Sequence, residues 1–184
     1  GAGTGLGVAT RITCGTQIHI IASEGGHADF APHGAQQQAL QAALYARFGE
    51  VLLETVVSGA GLENIDAFLS VNVEEPQRSA AAISAAAQRG EAQGVAAMNL
   101  FLDCYGSTVG NLALINLPAG GVYVTGGIAP KNAALFNNGR WLTAFCGKHS
   151  MQDVLRAIPV HIVMNEHLGL LGAAERASAL LRDL

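Results

Sequence analysis

The spacing of apolar residues along the chain changes in a way that separates strands from helices. Two runs rich in β-branched residues, Val8 to Thr13 and Ile18 to Ala22, flank the turn Cys14-Gly15-Thr16-Gln17 and read as a hairpin. Residues 23–33 then form a polar, glycine-containing loop. From Gln36 to Phe48 the spacing turns helical, with Leu40, Leu44 and Phe48 four apart. Val51 to Val57 reads as a second short helix, ended by Ser58-Gly59, and Leu62, Ile65 and Leu69 mark a third. A loop is expected at 72–76 and an alanine-rich helix from Arg78 to Arg89.

Glu91 to Leu117 is the longest element, with Val95, Met98, Leu102, Tyr105, Val109 and Leu112 on one stripe. Leu100, Phe101, Leu114 and Ile115 make it apolar nearly all round, which predicts a long, buried central helix. Gly106 and Gly110 would let another backbone approach it closely; a membrane-type association motif is the alternative reading of that pair. The uncharged stretch between Asp103 and Lys131 is interrupted by Asn111, Asn116, Pro118 and two Gly-Gly pairs. It therefore reads as a buried helix and a buried strand, not a bilayer span. Gly120 to Thr125 is that strand, and Gly126-Gly127 turns it into a helix with Pro130 in the first turn. Short helices follow at Ala133–Phe136 and Trp141–Phe145. A last strand spans Ile158 to Met164, and a closing helix carries Leu170, Ala174, Ala177 and Leu181 on one face. An apolar composition with 23 glycines predicts an α/β or α+β domain, and the absence of repeat or linker a single one over residues 1–184.

Composition narrows the function classes. Half of the 184 residues are hydrophobic and 13% are charged, enough for a substantial core. A net charge of −4 and scattered Lys and Arg leave no electrostatic footprint for nucleic acid. Cys14, Cys104 and Cys146 stand at wide, unrelated spacings, which is neither a disulfide framework nor a zinc pattern; they are expected to be small apolar fillers in a reduced compartment. Gly1 to Gly7 does not read as a signal peptide, and a soluble, cytoplasmic protein is expected.

Three segments can carry chemistry. In Gly3-Thr4-Gly5-Leu6-Gly7, closely spaced glycines allow backbone N–H groups to crowd around a phosphate, though such a turn can equally be only a turn. In Glu24-Gly25-Gly26-His27-Ala28-Asp29-Phe30, a carboxylate and an imidazole on a tight loop suit a polyhydroxylated ligand. Metal binding is the rival reading, but no second His or Cys sits at ligand spacing. Asp29 reads as a tie for the loop backbone. Gly120 to Pro130 is a strand ending in Gly-Gly before a helix N-terminus, which leaves a surface free of side chains for a base or ribose. It is neither a Walker A loop nor a Rossmann fingerprint.

In this order along the chain, the three segments resemble the glucokinase group of sugar kinases. Glu54-Thr55-Val56-Val57-Ser58-Gly59-Ala60-Gly61-Leu62 and Asn165-Glu166-His167-Leu168-Gly169-Leu170-Leu171-Gly172-Ala173-Ala174 agree, with Leu168 where the family commonly carries proline. The resemblance implies a ribonuclease-H-like, actin-like ATPase domain: a mixed β-sheet flanked by helices. It implies glucose phosphorylation at the expense of Mg2+-ATP, a glycolytic step. Glu24, His27 and Glu54 match the family's sugar-contacting residues. Gly3, Thr4, Gly5 and Gly7 match its second phosphate-binding turn, and Gly120, Gly121, Gly126 and Gly127 its adenosine-binding strand and turn. Related repressor-type sugar kinases carry a clustered cysteine zinc motif that is absent from this sequence, so no zinc is expected. The family's catalytic aspartate and first phosphate loop find no match, so the chain is expected to be a C-terminal domain lacking its base, inactive or nearly so alone. The parent is expected to be a homodimer. A non-catalytic sugar-binding module is the alternative.

Overall fold

The computed structural model describes residues 1–70 and 77–182; the loop expected at 72–76 lies outside them. Strands β1 (Val8–Cys14) and β2 (Gln17–Ser23) form the expected antiparallel hairpin, with Cys14 opposite Gln17 and Val8 opposite Ser23. Helices α1 (Gly34–Phe48), α2 (Leu53–Val56), α3 (Gly59–Leu69), α4 (Ala80–Gln88) and α5 (Ala92–Asn116) follow. Strand β3 (Val122–Val124) comes next, then α6 (Ile128–Lys131), α7 (Ala133–Phe136), α8 (Arg140–Cys146) and α9 (Gln152–Arg156). Strand β4 (Val160–Ile162) pairs parallel with β3, and α10 (Leu168–Arg182) closes the chain. The molecule is α/β, as expected; its described strands make two small sheets, one antiparallel and one parallel.

The core is organised on α5. Helices α3, α4 and α8 pack around it, and Met98, Phe101, Leu102 and Tyr105 of the predicted central helix are almost wholly buried. Tyr105 meets Phe101, Phe136 and Trp141 edge-on, with ring centroids about 6 Å apart, and Trp141 stacks on Phe145. The glycine pair serves helix packing in the core. A Cβ on Gly106 would come within 2.3 Å of the Trp141 carbonyl oxygen, and one on Gly110 within 2.4 Å of that of Phe145. Among the described residues no helix is long and apolar enough to cross a membrane.

Several local expectations need correction. Val51 and Leu52 are extended rather than helical, because Phe30 N–H donates to the Val51 carbonyl and Leu53 N–H to that of Ala28 (2.9 and 2.8 Å). The strand predicted from Gly120 is shorter and only partly buried: Val124 is inside, while Tyr123 is 61% exposed and stacks on His161. With β4 as its only described neighbour, β3 leaves one edge open. Cys104 and Cys146 are buried fillers as expected, but Cys14 is exposed at the hairpin turn. The closing helix forms, yet its apolar face is not packed; Leu170 and Leu181 are both more than 70% exposed. Helix α9 has no counterpart in the sequence pattern, since five residues give no readable period.

The tight α5–α8 contact yields a stability test. Replacing Gly106 by Ala should lower unfolding stability by about 2 kcal/mol, the usual scale of overpacking a filled core. Urea denaturation checks this, and an unchanged midpoint would contradict the packing described.

Candidate functional site

The segment 1–7 is the meeting point of the sequence motifs. It folds back on itself, with Gly3 N–H donating to the Gly5 carbonyl and Gly7 N–H to the Gly1 carbonyl, both at 2.9 Å. The Thr4 and Gly5 amides at the tip have no hydrogen-bond acceptor among the described residues. The Thr4 side chain is exposed. Two free N–H groups beside a hydroxyl make a small anion-binding concavity.

The Glu-Gly-Gly-His loop is seated directly on this turn. Residues 25–27 form one 3-10 turn, with His27 N–H donating to the Glu24 carbonyl. Gly26 is buried, and a Cβ there would lie 2.1 Å from the Leu6 carbonyl oxygen, so only glycine fits. The loop exit is held by the Phe30–Val51 and Ala28–Leu53 bonds, which bring the first turn of α2 alongside it. Glu54 thereby arrives beside His27.

The resulting constellation is a carboxylate–imidazole–carboxylate row. His27 Nδ1 lies 3.6 Å from Glu24 Oε2, and His27 Nε2 lies 3.5 Å from Glu54 Oε1. The second oxygen of Glu54 accepts a hydrogen bond from Leu6 N–H at 3.3 Å. The Glu54 main chain is fixed too: Ser58 Oγ donates to its carbonyl at 2.7 Å while accepting from Gly61 N–H at 2.9 Å, capping α3. Gly59 N–H donates to the Gly3 carbonyl at 2.7 Å, tying the same helix start to the glycine turn. The row is graded in exposure, from 92% for the Glu24 side chain to 33% for that of Glu54.

The third motif reaches the turn from the other side. Ala2 N–H donates to the Thr125 carbonyl, Ile128 N–H donates to the Ala2 carbonyl, and a Cβ on Gly126 would meet the Ala2 carbonyl oxygen at 2.2 Å. Gly127 precedes α6 and faces open space. Gly120 and Gly121 sit at the opposite end of β3, where Gly121 N–H closes a turn onto the Pro118 carbonyl, and they are not brought to the glycine turn. Asp29 lies opposite Leu52 in an isolated bridge whose hydrogen bonds are made by the main chains of its neighbours Ala28 and Phe30, so the loop is tied beside Asp29 and not through its side chain.

Sequence reasoning does not single out Leu6, Ser58 or Tyr105 as parts of the site. Leu6 acts through its amide, which no residue pattern encodes. Ser58 ahead of Gly59 and Leu62 carries a readable N-cap signal, overshadowed by its place at the end of the preceding helix. Tyr105 lies in the core beneath the turn: burial pushes its phenol up to about 12, and the nearby Ala2 backbone acts in the opposite direction. Among the described residues, no group of three or more His, Cys, Asp and Glu is placed to hold a metal ion. A polar cavity of about 860 Å³ between His33, Asp103 and Arg140 includes none of the expected site residues.

Comparison with known proteins agrees with these motifs. A family model described as Glucokinase matches residues 1–180. The glucokinase of Nostoc sp. is 40% identical over 205 residues, covering 98% of this chain and 60% of that protein. That of Synechocystis sp. is 40% identical over 200 residues, covering 95% and 56%. The crystal structure of glucokinase from an Antarctic psychrotroph matches with a TM-score of 0.84 at 32% identity, covering 94% of this chain and 55% of that one. A ROK hexokinase from Thermus thermophilus shares the fold at 18% identity and a TM-score of 0.65. The chain therefore belongs to the glucokinase family and has the expected fold of its actin-like ATPase relatives. It spans about 60% of the length of the curated relatives it matches.

The buried phenol generates a pH prediction. Because the folded-state pKa of Tyr105 is raised from 10.0, its contribution is fully present below about pH 10 and is lost as pH rises through about 12. Tyr105→Phe should flatten that alkaline decline in urea midpoints. An alkaline slope the substitution leaves unchanged would place the phenol in contact with solvent.

Proposed function

We propose that this chain, as a member of the glucokinase family, supplies the sugar-binding half and part of the nucleotide-binding half of an ATP-dependent glucose kinase. The observation that carries the reading is the Glu24–His27–Glu54 row lying against a turn with two unpartnered amides. A hexose offers adjacent hydroxyls, each needing an acceptor or a donor. The carboxylates of Glu24 and Glu54 accept hydroxyl protons, and His27 between them donates or accepts according to the tautomer its neighbours favour. A crystal structure of the glucokinase from Balamuthia mandrillaris is a complex with glucose; at 21% identity it supports the fold on which the reading is built.

The Thr4 and Gly5 amides and the Thr4 hydroxyl suit phosphate oxygens, and nothing intrudes within 4 Å of a Cβ built on Gly3, so an anion can lie against the turn. Gly126 and Gly127, linked to the turn through Ala2, are the proposed adenosine contacts; Gly7 closes the turn rather than contacting ligand, and Gly120 and Gly121 shape the approach to β3. Mg2+-ATP supplies the phosphoryl group and the metal that neutralises its charge. The protein's task in such a transfer is positioning and electrostatic stabilisation. Here Glu54 and His27 orient the hexose while the turn holds phosphate a few residues away.

No residue of the row is assigned as the general base. On this reading the base, and the first phosphate loop, belong to the part of the relatives' length that this chain does not span. The working enzyme is read as cytoplasmic and dimeric.

A coupled assay for glucose 6-phosphate with Mg2+-ATP tests the proposal. This chain alone should be inactive, and the chain joined to the N-terminal portion of the Nostoc relative should be active. Glu24→Ala in the joined protein should raise the glucose KM about tenfold or more, as expected for losing a charged hydrogen-bond partner. Full activity in the bare chain would mean that the base lies within it. Glucose binding without turnover in the joined protein would favour a sensor.

A further inference from the structure

We propose that Gly5 and the Leu6 amide are positioning elements of the sugar site, acting through the Glu54 carboxylate. The inference deepens the reading of Glu54 as a sugar ligand and rests on it. A carboxylate on a short helix has free rotation about its side-chain bonds unless something pins it. Here the two oxygens have separate duties: Oε2 accepts from Leu6 N–H at 3.3 Å, and Oε1 faces His27 Nε2 at 3.5 Å. With the main-chain carbonyl of the same residue held by Ser58, the carboxylate is anchored at both ends of its side chain. It presents one oxygen outward.

Gly5 explains how the anchor is possible. Its backbone does not lie in the left-handed region, so conformation alone does not call for glycine at this position. Space does. A Cβ on Gly5 would lie 2.8 Å from Glu54 Oε2, inside any normal contact, whereas a Cβ on Gly3 would meet nothing. The second glycine of the turn is therefore matched to a carboxylate on its inner side, while its own amide faces the anion concavity. One residue thus borders both halves of the site, and any side chain there pushes Glu54 off its anchor and out of line with His27.

The test is an NMR titration of the 184-residue chain with glucose, following backbone amides. Wild type, Gly5→Ala, Glu54→Ala and the double variant are compared, and Glu54→Gln reports on the anchor. Gly5→Ala should weaken glucose about tenfold, and should cost nothing further once Glu54 is Ala, because neighbours acting through one group are non-additive. Glu54→Gln should shift the Leu6 amide resonance in the absence of sugar, a readout that general loosening of the turn would not reproduce. Glucose binding that depends on Glu54 but is indifferent to Gly5→Ala overturns this inference alone. So do additive losses in the double variant, or a Leu6 amide that ignores Glu54→Gln. A wild-type chain that takes no glucose overturns the sugar reading, and this inference with it.

Discussion

Close approach of backbone to backbone around residues 1–7 is the constraint on which the rest of the site depends. Leu6 lies under Gly26, Ala2 lies under Gly126, and the Gly3 carbonyl takes the first amide of α3. The contacts at Gly26 and Gly126 are too short to admit a Cβ, so the loops cannot slide past one another without losing hydrogen bonds. The segment is a keystone. Loops separated by about 100 residues in sequence are registered to one another because each is registered to it.

This arrangement also determines what the core must do. A turn of seven residues, four of them glycine, has little apolar surface beyond Ala2 and Leu6, and those two are buried in the core beneath it. Tyr105 lies where the two layers meet, with its ring among Phe101, Phe136 and Trp141 and the Ala2 backbone near enough to influence its phenol. Gly106, the next residue, lets α8 close on the same stretch of α5. Packing and site geometry are thus linked through adjacent residues of one helix. A binding site supported this way is preorganised, because its donors and acceptors are oriented before any ligand arrives.

Much of this is legible in the residues. Hydrophobic spacing locates the hairpin, the central helix and most of the smaller helices to within two or three residues. It errs where tertiary bonding outweighs local preference: Val51 and Leu52 look like the start of a helix, but the extended segment Ala28–Phe30 claims their backbone. Burial is overestimated for β3 and α10, since an apolar residue records a need for cover without recording what supplies it. Glu24 and His27 are readable from loop chemistry alone. Glu54 is not, because a carboxylate on an amphipathic helix is ordinarily solvated; only the family resemblance singles it out. The Leu6 amide lies beyond any reading, for every residue but proline has one.

The gradient of exposure along the carboxylate–imidazole row bears on how such a site can discriminate. A hydrogen bond between a hydroxyl and a fully hydrated carboxylate exchanges one partner for another and contributes little. Glu54, two-thirds covered and held by Leu6, already presents a fixed and partly shielded oxygen. Glu24, almost fully exposed, gains comparable strength only when the ligand or a covering surface excludes water from it. Discrimination among hexoses would then rest on two kinds of contact. On the proposed reading, the inner pair of Glu54 and His27, set by the fold, would select one hydroxyl geometry at once. On that same sugar reading, the outer contact at Glu24 strengthens only where water is excluded from it, so its contribution would follow that of the inner pair.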